Sequence, residues 1–175
     1  SFSVVAEEAV QTYYVSDVSG SDSNAGSQSA PVKTLTKALE LAEANSTIYV
    51  MDDVLVGDES NNDAPWVIDK SVTIKGDSQT LPTISLRAGG VVLGADVSFE
   101  NVKIGTTSML RPGIAANGHT LQLTNVYQDA SLQPLQIYGG TFIDATDSTD
   151  YGTSVRGTKS DIQINGGSYE AVYAG

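Results

Sequence analysis

The chain contains no cysteine, which excludes a disulfide framework and any thiolate metal centre. It has a single histidine, His119, too few for a histidine-rich zinc site. Basic residues are scarce: nine Lys and Arg stand against 21 Asp and Glu, a net charge of −12. Such a surface repels phosphate backbones and anionic lipid, so nucleic acid is not an expected partner. No apolar run approaches the ~20 residues of a spanning helix, and membrane insertion is not expected. No cofactor is implied, calcium at the Asp22 loop being the one ion left open.

What is present is a 175-residue chain with 40% hydrophobic residues, enough for one domain with a sizeable core. The opening "SFSVVAEEA" resembles the tail of a secretory signal cut after Ala6. Residues 1–12 are therefore expected to be a signal-peptide remnant or N-terminal extension, and residues 13–175 the folded domain. The closing "SYEAVYAG" stops inside a pattern that is still repeating, so the expected domain is truncated at its C-terminal end.

Along the chain, Tyr13, Tyr14 and Val15 form a short β-prone run, and "SDVSGSDSNAGSQS" is a loop of turn-forming residues. From Pro31 the pattern becomes helical. Leu35, Ala38, Leu39 and Ala42 share one face, which predicts an amphipathic helix of about three turns. Beyond it the helical period vanishes, and "STIYVMDDVLV", "WVIDKSVTIKGD" and "VSFENVKIG" read as strands.

These strands repeat a five-residue unit of apolar, polar, apolar, variable, then Gly or Asn. The copies are "VTIKG" from Val72, "VSFEN" from Val97, "LQLTN" from Leu121, "LQIYG" from Leu135 and "IQING" from Ile162. Their starts are 25, 24, 14 and 27 residues apart, steps that suit stacked repeats, with the 14-residue step marking two faces of one coil. Side chains alternate along a strand, so the first and third residues point inward and the second and fourth outward. Gly76, Asn101, Asn125, Gly139 and Gly166 fall where the strand must turn, a place for residues that tolerate left-handed backbone. Asn101 and Asn125 are spaced to hydrogen-bond one another in successive repeats.

The stretch "YYVSDVSGSDSNAGSQSAPVKTLTKALELA", then "STIYV" and "KSVTIKGD", resembles the N-terminal cap and first coils of secreted right-handed parallel β-helix proteins, the pectate-lyase-like superfamily. "IYGGTF" and "INGGSYEAVYAG" are similar to Gly-Gly repeats of bacterial surface proteins with this fold. The resemblance implies an all-β solenoid, a right-handed parallel β-helix, whose short α-helix covers the open end of the first coil. It also implies a secreted or cell-surface location in a bacterium. A β-sandwich or jelly roll with one added helix is the rival architecture.

The superfamily includes lyases, hydrolases, esterases and non-catalytic adhesins, so the fold leaves function open. The expected function is glycan binding or adhesion by the N-terminal part of a surface β-helix protein. The alternatives are a glycan-degrading hydrolase or lyase domain and a non-catalytic stalk. A hydrolase needs paired carboxylates, for which Asp144, Asp147 and Asp150 are the candidates. A lyase needs calcium carboxylates and a basic residue beside them, and Arg-Pro-Gly at 111–113 reads as a turn instead. Asp22 and Asn24 are the candidate calcium ligands. For substrate binding, the outward Gln136, Tyr138 and Gln163 combine amide and aromatic groups suited to sugar hydroxyls and ring faces. Many of the outward positions, from Thr73 to Asn165, are expected along one exposed sheet face. The expected partners are a polysaccharide or glycan and the remaining coils of a longer chain.

Overall fold

The computed structural model describes residues 1, 3, 11–57, 61, 63–107, 113–140 and 160–173. Ala6, Arg111, Asp144, Asp147 and Asp150 lie outside the described residues. Strand β1 (Thr12–Val15) precedes helix α1 (Leu35–Leu41), after which strands follow one another. They are β2 (Ser46–Val50), β3 (Val54–Val56), β4 (Trp66–Ile68), β5 (Val72–Lys75), β6 (Thr83–Leu86), β7 (Val91–Leu93) and β8 (Val97–Thr106). Then come β9 (Gly113–Ala115), β10 (Thr120–Gln128), β11 (Gln136–Tyr138), β12 (Asp161–Ser168) and β13 (Ala171–Tyr173). Among the described residues no helix is long and apolar enough to cross a membrane.

Every pairing between these strands is parallel. The larger sheet runs β1-β2-β5-β8-β10-β12, with β3 and β6 joined to the second half of β8. The smaller runs β4-β7-β9-β11-β13. Strands β2 to β5 pair with the strand three places on, and β6 to β11 with the strand two places on. Ser46 faces Val72, Val72 faces Val97, Val97 faces Leu121 and Leu121 faces Ile162, steps of 26, 25, 24 and 41 residues. Parallel strands so connected need a crossover each time, and here the smaller sheet supplies part of it.

Four of the five repeat units lie in the larger sheet. The Leu135 unit lies in the smaller one, as its short step implies. Gln136 and Tyr138 are on one sheet, and Thr73, Ser98, Gln122 and Gln163 are on the other, so the three substrate-binding candidates Gln136, Tyr138 and Gln163 do not share one sheet face. The cause is that successive strands alternate between the sheets here: β10 pairs β12 in the larger sheet, while β11 between them pairs β9 and β13 in the smaller.

Inward residues of both sheets form one core, among them Ile48, Ile74, Phe99, Leu121 and Leu123 from the larger sheet with Ile68, Leu93, Ile114 and Ile137 from the smaller. Removing each such side chain from water contributes about 1.5–3 kcal/mol. On β12, the corresponding Ile162 and Ile164 are only half-buried.

The strands bend at the expected asparagines. Asn101 has φ 53° and Asn125 φ 50°, and Gly166 follows with φ 74°. Each splits its strand into two limbs, as where β8 meets β5 before the bend and β6 after it. Gly76 does not adopt this backbone; it is small for packing, since a Cβ there would lie 2.4 Å from Pro82 Cγ.

Helix α1 is shorter than the sequence pattern predicts: seven residues, about two turns. Thr34 starts it in extended backbone, its hydroxyl accepting the Lys37 N–H at 3.0 Å, and extended Ala42 ends it. Val32, expected near the helix start, instead pairs with Val15 of β1. Leu35, Ala38 and Leu39 are buried, and the helix packs against β1, β2 and β3. The Lys70 ammonium donates to the carbonyls of Leu39, Glu40 and Ala42 at 2.8, 3.0 and 2.9 Å. A cation there satisfies the last helix carbonyls and complements the helix dipole.

Candidate functional site

On the smaller sheet the outward residue of each strand falls in one row: Val67, Val92, Ala115, Tyr138 and Tyr173. The row begins aliphatic and ends aromatic. Tyr138 packs on Val92 and Ala115, and its ring stacks on Tyr173, with centroids 5.0 Å apart and planes 18° from parallel. Neighbouring parallel strands lie about 4.8 Å apart, so register alone brings the two rings into stacking range. Tyr173 is 48% exposed and presents the open part of the stack.

Beside the rings lies a chain of polar groups. The Tyr138 hydroxyl donates to Gln136 Oε1, and Gln136 Nε2 donates to Glu170 Oε2 at 2.6 Å. Glu170 is held by its own backbone N–H, which donates to the Leu135 carbonyl at 2.8 Å. Partial burial, then the neighbouring Tyr173 and the Glu170 carboxylate, raise the Tyr138 phenol above its ordinary value of 10.0, so it stays a neutral donor. The result is a fixed aromatic surface edged by an amide and a carboxylate.

Gln163 is not part of this surface. On the larger sheet, Ser98 Oγ donates to Gln122 Oε1 at 2.8 Å, Gln122 Nε2 to Gln163 Oε1 at 2.7 Å, and Gln163 Nε2 to Asp161 Oδ2 at 2.8 Å. This ladder borders a groove of about 270 Å³ that reaches from Asn45 to Gln122. At its edge Asp96 Oδ1 accepts the Thr120 N–H at 2.8 Å and lies 3.8 Å from His119 Nδ1. His119 itself closes a turn, its N–H donating to the Ala116 carbonyl.

The candidate calcium ligands have structural partners. Asp22 Oδ1 accepts the N–H groups of Lys33 and Thr34 at 2.8 and 2.9 Å, and Oδ2 accepts the Thr34 hydroxyl. Asp22 thereby positions the residue that caps α1. Asn24 Nδ2 donates to the Pro31 carbonyl at 2.8 Å, tying the loop to the strand-like segment before the helix. Among the described residues no three His, Asp or Glu side chains are grouped to hold a metal ion.

A further groove, about 420 Å³, lies among Asp17, Val18, Met51, Asp52, Asp53 and Pro82. Its carboxylates have local partners: Asp52 accepts from the Ser16 hydroxyl and, at 2.7 Å, from the Asp17 N–H, Asp53 accepts the Thr83 N–H at 2.8 Å, and Asp17 lies 3.2 Å from the Lys33 ammonium.

Sequence reasoning missed Tyr173 and Glu170. The signal was present, since "QIY" at 136–138 and "AVY" at 171–173 share the apolar-then-Tyr ending and pair residue for residue. The second copy has Ala where the first has Gln, which hides it from a search for the full unit.

The family model described as "Protein of unknown function (DUF1565)" matches residues 18–171. The chain belongs to that family. DUF1565 is associated with parallel β-helix proteins, in keeping with the all-parallel pairing of both sheets. Neither the curated proteins nor the solved structures gave a match.

Proposed function

We propose that this DUF1565 chain is a section of a right-handed parallel β-helix protein, secreted or displayed at a bacterial cell surface, that binds glycan without transforming it. The β-helix reading is supported by parallel pairing at intervals near 25 residues and by a helix packed across one end of the core. Right-handedness follows from the strong preference of parallel crossover connections for that hand. A helix in that place covers the apolar end and strand edges that water or another chain would otherwise reach.

The observation that carries glycan binding is the Tyr138–Tyr173 stack with the Gln136–Glu170 pair beside it. Sugars present apolar ring faces and hydroxyl edges, and this surface offers aromatic carbon with an amide and a carboxylate next to it. Because the polar groups already hold one another, little ordering entropy is lost on binding. A glycan-array screen of the purified chain, followed by product analysis on each hit, tests the proposal. Retention of unmodified glycan supports it; release of shortened or unsaturated products contradicts it, as does an array without hits.

A further inference from the structure

The larger sheet carries a second feature, separate from the tyrosine row. Successive strands present pairs of outward polar side chains at matching register: Ser71 and Thr73 at β5, Asp96 and Ser98 at β8, Thr120 and Gln122 at β10. All six line the 270 Å³ groove, together with Asn45 beside β2. The groove therefore crosses four neighbouring strands, a span of about 14 Å at the usual strand spacing. Each strand repeats nearly the same offer of hydroxyl or amide groups.

From this arrangement we infer that the groove is a second binding site, for an extended, neutral, linear oligosaccharide lying across the strands. A ligand that repeats along its length meets the same chemistry on each strand, so its contacts add, whereas a single sugar uses only one or two pairs. The lining supplies both donors and acceptors, as hydroxyl-rich ligands require. Its one charged group is the Asp96 carboxylate, and no Lys or Arg lines it. With no cation to meet them and a chain of net charge −12, the carboxylates of an acidic polysaccharide are repelled. The Ser98–Gln122–Gln163 hydrogen bonds hold the side chains in place before a ligand arrives.

Calorimetric titration with glucose, cellobiose, cellotetraose and tetragalacturonate tests this. Affinity is expected to rise with length, by about ten-fold or more from glucose to cellotetraose, with tetragalacturonate weaker than the neutral tetramer. In the Ser98→Ala/Gln122→Leu variant the cellotetraose affinity falls by about ten-fold, while Leu55→Ala, at an exposed side chain of β3 outside the groove, leaves it unchanged. Amide chemical-shift mapping on the parent chain gives an independent reading, with shifts expected at residues 71–73, 96–98 and 120–122. Equal affinity for glucose and cellotetraose, tighter binding of tetragalacturonate, shifts confined to residues 136–138 and 171–173, or no binding of any length would each overturn the inference. The last two separate it from the tyrosine-row proposal, which survives the first of them and is judged on its own array hits.

Discussion

Asn125 donates its side-chain amide to the Asn101 carboxamide oxygen, 3.3 Å away, across two successive strands of the larger sheet. Both residues have left-handed backbone, so one side chain serves the bend and the stacking of repeats together. Asn125→Ala should cost about 1–3 kcal/mol, the sum of the left-handed strain and one lost hydrogen bond. Asn125→Gly, which relieves the strain, should cost less. Urea denaturation of the two variants checks the order; an Ala variant as stable as the parent would remove the asparagine pair from the account of how the strands bend.

The helix end should behave as a cover held from outside. Leu39 is buried against the first strands, and Leu39→Asp places an uncompensated charge there, at an expected cost of several kcal/mol, roughly 3 or more. Lys70→Met keeps the length of the side chain but abandons three helix carbonyls. Its expected cost is smaller, about 1 kcal/mol. Thermal melting of both variants gives the comparison, and parent-like melting of the Leu39 variant would contradict the helix's covering role.

Asp129 links strand ends and should mark the acid limit of the fold. Its Oδ1 accepts from the Ser131 hydroxyl and N–H, at 2.6 and 2.9 Å, and its Oδ2 accepts from Thr83 Oγ1 at 2.7 Å. The Ser131 hydroxyl, then Thr83 and the Ser131 N–H, hold its carboxyl below the ordinary 3.8. A depressed folded-state value means the stabilisation is fully present above the unfolded value, about 3.9, and is lost as pH falls through the folded one. Asp129→Asn should therefore lower stability at neutral pH and narrow the gap to the parent as pH drops below about 4. An unchanged gap between pH 7 and pH 3, measured by urea denaturation, would contradict this.

Much of the architecture was legible because the five-residue unit records strand alternation directly. Val97 and Leu121, which open successive copies of the unit, are Cα partners in the sheet, and Asn101 and Asn125 bend where the unit ends. The short 14-residue step set the Leu135 copy apart, but the local pattern of a copy does not say which sheet it joins. Gln136 and Gln163 have the same local pattern, and only the number of strands between them sends one to each sheet. The helix length failed for a related reason: Val32 fits the apolar pattern of a helix, but its pairing with Val15 decides otherwise, and that contact is remote in sequence. The stack of Tyr138 on Tyr173 is likewise a product of register, across 35 residues of chain.

Among the described outward side chains, Tyr173 gives the sharpest separation of glycan contact from mere solvated surface. Its ring is half exposed and lies at the open side of the stack. The decisive measurement is a titration of an array-identified glycan against the parent, Tyr173→Ala and the control Tyr49→Ala, whose ring belongs to the other sheet and pairs with Tyr14. Folding of each variant is verified by circular dichroism. Loss of one aromatic contact should weaken binding by about ten-fold in Tyr173→Ala and leave the Tyr49→Ala control at the parent value. Parent-like affinity in a folded Tyr173→Ala variant would contradict the assignment of glycan contact to the Tyr138–Tyr173 surface.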